Sequence, residues 1–271
     1  VQHGASLTKG FLIIDDTTLD KPDSRAIELV TRHWSGKHHR VVLGINRISM
    51  LWTEGDAHLP CDFRIDDKAH DGVTKNDHVQ AMVKGAAERG CHPQLVGFDS
   101  WDASLENVKL VRSLNWQWLT QLKANRLVDP DGSGNRPIRA VLILRHGAIV
   151  HLKGYGFIKV FKMAPPDGGI AYWATSDLGM RIAQCAEDAL YLWRIEEDHR
   201  GIKQCCGIER ARHRSAVAQR NHIGLALRAF LRLESHRLRT GTSWFEAKAA
   251  IVREAIRAYL AQPLYTQIST A

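Results

Sequence analysis

The sequence predicts a mixed α/β fold: a sheet with parallel members, flanking helices, a small β-rich insertion and a helical C-terminal region. Three observations carry this. Short apolar runs alternate with stretches of helical period over the first half of the chain. Turn residues punctuate the region between Arg126 and Ser176, and the period is helical from Leu178 onward. With 271 residues, 44% hydrophobic and 24% charged, the chain can bury one large or two modest cores. It is neither a disordered chain nor a small disulfide scaffold. No segment approaches the roughly 18 consecutive apolar residues of a membrane span, so no membrane partner is expected.

The elements follow in order. Phe11 to Ile14 is an apolar strand ending on Asp15 and Asp16, Arg40 to Met50 a second strand, and Leu59 to Arg64 a third. Asn76 or Asp77 caps a helix that runs to Arg89 and stops at Gly90. Leu95 to Phe98 is a short strand ending on Asp99. Positions 105, 108, 111 and 114 are apolar, which is helical spacing over Leu105 to Leu114, and Trp116 to Leu122 returns to a strand. Pro130, Gly132, Gly134 and Pro137 mark a loop, followed by short strands at Ile138 to Leu144, Ala148 to Leu152 and Phe157 to Met163. Helices are expected over Arg181 to Gln204, Ala216 to Leu233 and Trp244 to Leu260, the last closed by Pro263.

Lys plus Arg number 37 against 29 Asp plus Glu, a formal +8 that is unevenly placed. Residues 1–190 carry net +1, whereas 191–271 carry 14 basic and 7 acidic side chains, net +7. A basic lobe of this kind concentrates a polyanion, with nucleic acid as the leading partner. The five cysteines are odd in number and form no CxxC pair, so they read as small buried hydrophobes in a reducing, cytoplasmic compartment.

Three acidic positions have a claim beyond solvation. Asp15 and Asp16 end the first strand, Asp99 ends the strand after the first helix, and Glu196 lies within a later helix. Carboxylates at strand ends of an open α/β sheet occupy the edge where ligands gather. Brought together they repel, unless divalent cations neutralise them. Oxygen ligation favours Mg²⁺ or Mn²⁺, and two such ions about 4 Å apart suit phosphodiester chemistry. Plain caps and solvent-facing ion pairs would give the same spacing. Around Glu196, Arg200 and Lys203 follow at i+4 and i+7 on one helical face, and Arg210, Arg212, Arg214 and Arg220 add cations suited to a phosphate backbone.

These segments resemble the DDE transposases of bacterial insertion sequences, in the group with a β-strand insertion and a tyrosine, arginine, glutamate and lysine signature. FLIIDDTTLDKP (Phe11 to Pro22) is similar to the family's first motif, VGFDSWDAS around Asp99 to its second, and WRIEEDHRGIKQCCGIE around Glu196 to its third. The likeness extends from about residue 10 to residue 235. The signature's tyrosine and arginine would fall at Ala189 and Leu192, with Tyr191 and Arg194 nearby.

The resemblance implies an RNase H-like catalytic core. It implies Asp16, directly before Thr17, as first metal ligand, with Asp15 the alternative, and Asp99 and Glu196 as the second and third. Lys203 would contact a terminal phosphate, assisted by Arg200. Trp193 and Arg194, just before the glutamate, are expected to contact DNA, Lys123 and Arg126 resemble a basic stretch that holds DNA, and Arg210, Arg212 and Arg214 would hold it too. The implied organisation is a first core part over 1–126, a β-rich insertion over 127–176, a helix with the third acid and a basic region over 177–235, and a C-terminal helix over 236–271. The implied activity is metal-dependent hydrolysis at element ends followed by strand transfer into target DNA, by a nucleoid-associated protein that dimerises on DNA. A nuclease without strand transfer, or a DNA-binding remnant, are the alternatives. Starting at Val1, the chain is expected to lack an N-terminal DNA-recognition region.

Overall fold

The computed structural model describes residues 7–36, 38–99, 103–164 and 168–263. Its central strand is β1 (Phe11–Asp20), in which Leu12, Ile13 and Ile14 are all buried because both faces of the sheet are covered. β2 (Thr31–Ser35) and β4 (Leu59–Ile65) both pair antiparallel with the long β3 (Arg40–Thr53), which itself pairs antiparallel with β1. The first crossover contains the short α1 (Lys68–Asp71) and α2 (Lys75–Glu88) and returns to β5 (Leu95–Phe98), parallel to β1. The second contains α3 (Leu105–Ser113) and returns to β6 (Trp118–Leu122), parallel to β5. The expected parallel members are therefore present at the centre of the sheet.

Leu12 and Ile14 pack against Val79, Met82 and Val83 of α2 in the larger core. Ile13, on the opposite face, joins Leu51, Leu95 and Leu119 under α4 (Ile182–Leu192) and α5 (Arg194–Cys206), represented there by Cys185, Leu192 and Ile195. Gly97 of β5 matters to this layer, because an added Cβ would collide with the Leu192 side chain.

Beyond β6 the chain forms the small ladder of β7 (Leu127–Val128) with β8 (Arg136–Pro137). It then adds β9 (Ala148–Leu152), β10 (Gly156–Met163) and β11 (Ala171–Thr175) to the main sheet, all antiparallel. The sheet order is β2-β3-β1-β5-β6-β11-β10-β9, with β4 also on β3. The β-rich stretch thus extends the sheet along one edge. Finally α6 (Ala216–Thr240) and α7 (Trp244–Ala261) pack on α5 through Ile202, Ile223, Phe230 and Trp244. Together these elements make the expected RNase H-like mixed sheet with flanking helices.

Several local expectations shift. The α2 cap is Thr74, whose hydroxyl accepts from the Asp77 amide while the Asp77 carboxylate accepts from the Thr74 amide, so the helix starts before Asn76. Ile138 to Leu144 is no strand: Ile138–Ala140 is a single 3-10 turn, because the amides of Ile138 and Arg139 donate to carbonyls of Arg126 and Ala124 instead of to a ladder. The helix expected over Arg181 to Gln204 is two helices that meet at Trp193. α6 continues past Leu233 to Thr240, where Gly241 in the left-handed region ends it. Strands β2 and β11 were not expected. Of the cysteines, Cys91, Cys185 and Cys205 are buried and Cys61 is exposed.

Candidate active site

The strand register brings the first two acidic positions to one end of the sheet. The last paired rung of parallel β1 and β5 joins Ile14 to Phe98, and one residue further come Asp15 and Asp99. Alternation then separates the two aspartates of the first motif. Asp15 shares the face of Ile13, toward α5. Asp16 shares the face of Leu12 and Ile14, toward α2, and pairs with Lys75 at 2.9 Å. Its backbone amide donates to Asp15 Oδ1 at 2.8 Å, fixing the Asp15 carboxylate.

Helix α5 crosses this edge and supplies the third position. Asp15, Glu196 and His199 offer ligand atoms that all lie within 4.8 Å of one another. His199 is buried, and its Nε2 meets Ser49 Oγ at 3.1 Å. Both ends of α5 are tied down. At its start Arg194 donates to Thr53 Oγ1 at 3.2 Å and to the Gly55 carbonyl, pairs with Asp56 at 3.3 Å and stacks on Tyr191. Near its end Lys203 donates to the Thr18 carbonyl at 2.7 Å and pairs with Glu209 at 3.2 Å.

The electrostatics record a strained cluster of like charge. Burial, then repulsion from Asp16, Asp99 and Glu196, holds the Asp15 carboxyl well above the usual range. Glu196 is also raised, by burial, with Lys203 opposing and Asp99 and Asp16 adding to the shift. His199 is pushed well below the ordinary histidine value by burial and by the nearby cations Arg47 and Lys203, so it is a neutral imidazole able to ligate. Arg47, on β3 opposite Thr17, is a fully buried cation behind the cluster, near Asp198 and Asp15. Carboxylate oxygens and a neutral imidazole whose other partner is a hydroxyl make a donor set that fits a divalent cation such as Mn²⁺ or Mg²⁺.

The sequence-predicted residues divide into four groups. Asp15, Asp99, Glu196 and Lys203 gather at the sheet edge, with Asp16 just behind them and Arg200 exposed one turn beyond Glu196. Arg194 is engaged by the 53–56 loop, and Trp193 lies exposed at the helix junction. Arg210, Arg212 and Arg214 are exposed on the segment after α5, facing residues 20–27 across a cavity. Lys123 and Arg126 line a separate cavity of about 570 Å³ near Ser104 and Leu152. Within the second motif, Ser100, Trp101 and Asp102 lie outside the described residues. His199 and Arg47 were missed. Glu196 and His199 stand three apart on one helical turn, a spacing that marks paired metal ligands on helices and could have found His199.

No curated protein sequence matches the chain. Among solved structures, the fold is similar to that of a piggyBac transposase in a synaptic complex with hairpin DNA, with a TM-score of 0.55 and 10% sequence identity. That match covers 94% of this chain and 55% of the other, so the chain spans little more than half the length of that relative. A family model described as DDE superfamily endonuclease matches residues 2–139, a stretch that holds both Asp15 and Asp99. With half of its length matched, the chain belongs to the DDE superfamily endonuclease family.

Proposed function

We propose that the protein is a DNA transposase whose catalytic acids are Asp15, Asp99 and Glu196, with His199 as an additional ligand. The observation that carries this reading is the convergence of Asp15, Glu196 and His199 within 4.8 Å at the end of the two central parallel strands, with Asp99 close enough to raise both carboxyls. Such a cluster is costly without cations, and family membership and the piggyBac likeness favour phosphodiester chemistry on DNA.

Divalent ions bound there, Mg²⁺ or Mn²⁺ and in pairs, would supply charge neutralisation for the attacking and departing oxygens of a phosphodiester. The chain's own residues do the positioning. The Asp16 amide holds the Asp15 carboxylate, Ser49 orients His199, and Arg194 and Lys203 fix α5 so that Glu196 faces β1. Lys203 and Arg200 bind non-bridging phosphate oxygens, and the basic segment around Arg210, Arg212 and Arg214, with Lys123 and Arg126 further off, holds double-stranded DNA. Hydrolysis at an element end releases a 3′-hydroxyl that attacks target DNA in line, without a covalent enzyme intermediate. Two copies on paired ends, in association with the nucleoid, complete the proposal.

Asp15 replaces Asp16 as the preferred first ligand. The test is Asp15→Asn beside Asp16→Asn in a Mg²⁺ or Mn²⁺ nicking assay on DNA. Asp15→Asn, Asp99→Asn and Glu196→Gln should each cost at least about a thousandfold, roughly 4 kcal/mol of transition-state stabilisation, while Asp16→Asn keeps most activity. The reverse pattern for the two aspartates would overturn the assignment. Joining assayed with pre-cut ends separates a transposase from a nuclease of the same family, which would cleave without joining.

A further inference from the structure

A second site lies past the far end of β1. Residues 20–27 and 209–214 enclose a cavity of about 680 Å³. Its two walls are fixed to each other. Buried Lys21 donates from Nζ to the carbonyls of Glu209 and Ala211, the latter at 2.6 Å. The Asp20 amide donates to Glu209 Oε1 at 3.3 Å, and the Glu28 amide donates to the Arg214 carbonyl at 3.0 Å. The cavity is therefore a built feature of the fold.

Its charge is uncompensated. Arg25, Arg210, Arg212 and Arg214 all line it and are exposed, and their guanidinium groups have no ion-pair or hydrogen-bond partner among the described residues. Of the acids in the lining, Asp20 is engaged by His38 and Glu209 by Lys203, which leaves Asp23 against four arginines. Four guanidiniums held around one concavity repel one another unless an anion enters. Arginine's planar fork matches phosphate.

We propose that this cleft grips a backbone phosphate of the substrate duplex roughly five nucleotides from the scissile phosphate. The proposal rests on the transposase reading above and deepens it. The position comes from β1 itself: from Asp15 to Asp20 the strand advances five residues at about 3.3 Å each, or about 16 Å, which spans about five nucleotides of B-DNA at 3.4 Å per step. The walls offer no aromatic platform and no carboxamide, and with their four arginines assigned to phosphate oxygens the contact sets register and not sequence.

The test measures duplex binding by anisotropy against salt concentration, for the wild type and for Arg25→Ala and Arg212→Ala, using pre-cut duplexes that carry single neutral methylphosphonates at successive positions. Each variant should bind several-fold more weakly, alike on unrelated sequences, and lower the slope of log K against log salt by about 0.9. A methylphosphonate about five nucleotides from the cut should cost the wild type the same factor and cost a double variant that combines Arg25→Ala with Arg212→Ala nothing further. Unchanged slopes, or losses that add in full, overturn the proposal. So does equal binding of inorganic phosphate or of an RNA duplex, since the occupant would then not be the DNA backbone. If the wild type shows the footprint but no Asp15-dependent cleavage, the catalytic reading fails and the cleft stands. Cleavage with wild-type salt dependence in both variants removes the cleft alone, and a wild type that neither binds nor cleaves DNA removes both.

Discussion

Glu234 sits fully buried where α6, α7 and the loop after β3 meet, and replacing it by glutamine should be among the costliest single changes outside the acid cluster. Its carboxylate accepts from Arg237 Nε and Nη2, both at 2.8 Å, from Trp244 Nε1 at 2.7 Å and from the His58 amide at 2.7 Å. Burial alone would push this carboxyl up, but the hydrogen bonds from Arg237, His58 and Trp244 carry it from 4.5 down to about 2. That displacement corresponds to about 3 kcal/mol of stability at neutral pH. The group's folded value is depressed, so its contribution is complete above about pH 4.5 and is lost as pH falls toward 2, leaving about 1 kcal/mol at pH 3. Glutamine keeps the shape but cannot accept at both oxygens and carries no charge for Arg237. Denaturant unfolding of Glu234→Gln should therefore show a gap of about 3 kcal/mol from the wild type at pH 7, seen as roughly 5–10 °C in Tm, that shrinks by more than half at pH 3. A gap that is the same at both pH values would refute the charge-based account, and a gap below about 1 kcal/mol at pH 7 would show that the four donors contribute little.

Gly201→Ala on α5 would place a Cβ 2.8 Å from both the Phe230 and Trp244 rings, and should lower stability by about 1–3 kcal/mol in the same unfolding assay. Mn²⁺ affinity, followed by calorimetry, should rise with pH through the mildly acidic range, because Asp15 and Glu196 both hold protons above the ordinary carboxyl range and must release them to ligate. Conversely, Asp15→Asn should raise the melting temperature of the metal-free protein while abolishing that Mn²⁺ binding, since it removes a carboxyl whose charged form is repelled by three neighbours. His199→Ala should weaken Mn²⁺ binding by about tenfold or more, and Ser49→Ala, which frees the other ring nitrogen, by a smaller factor in the same titration.

The alternation of strands and helices at the centre of the sheet was legible because Phe11 to Ile14 and Leu95 to Phe98 each end at an acid, and the parallel crossovers need the helices that the 3.6 period announces. The choice between Asp15 and Asp16 was not. Leu12, Ile13 and Ile14 are all buried, so β1 lacks the alternation that would reveal which face meets α5. β2 escaped notice because TRHWS is a short edge strand with exposed Trp34. The break at Trp193 has no proline or glycine to announce it, and it arises where α4 packs on β5 through Leu192 while Arg194 is drawn to the 53–56 loop. Arg47, within the strand expected over Arg40 to Met50, carried no signal in the sequence. It is buried because α5 brings Asp198 and the acid cluster to its side of the sheet.

The placement of β9, β10 and β11 at the far edge of the sheet sets the route by which the chain reaches the third acid. Asp15 and Asp99 stand on the two innermost strands, and α5 returns over them only after the chain has gone out to the edge and come back through β11. The hairpin of β9 and β10 makes no ladder with β1 or β5, yet its Val150, Ile158, Val160 and Phe161 are buried in the same clusters as Leu12, Ile14, Leu192 and Ile195. The edge is thus joined to the chemistry through a shared core, with β6 and β11 as the two strands between them.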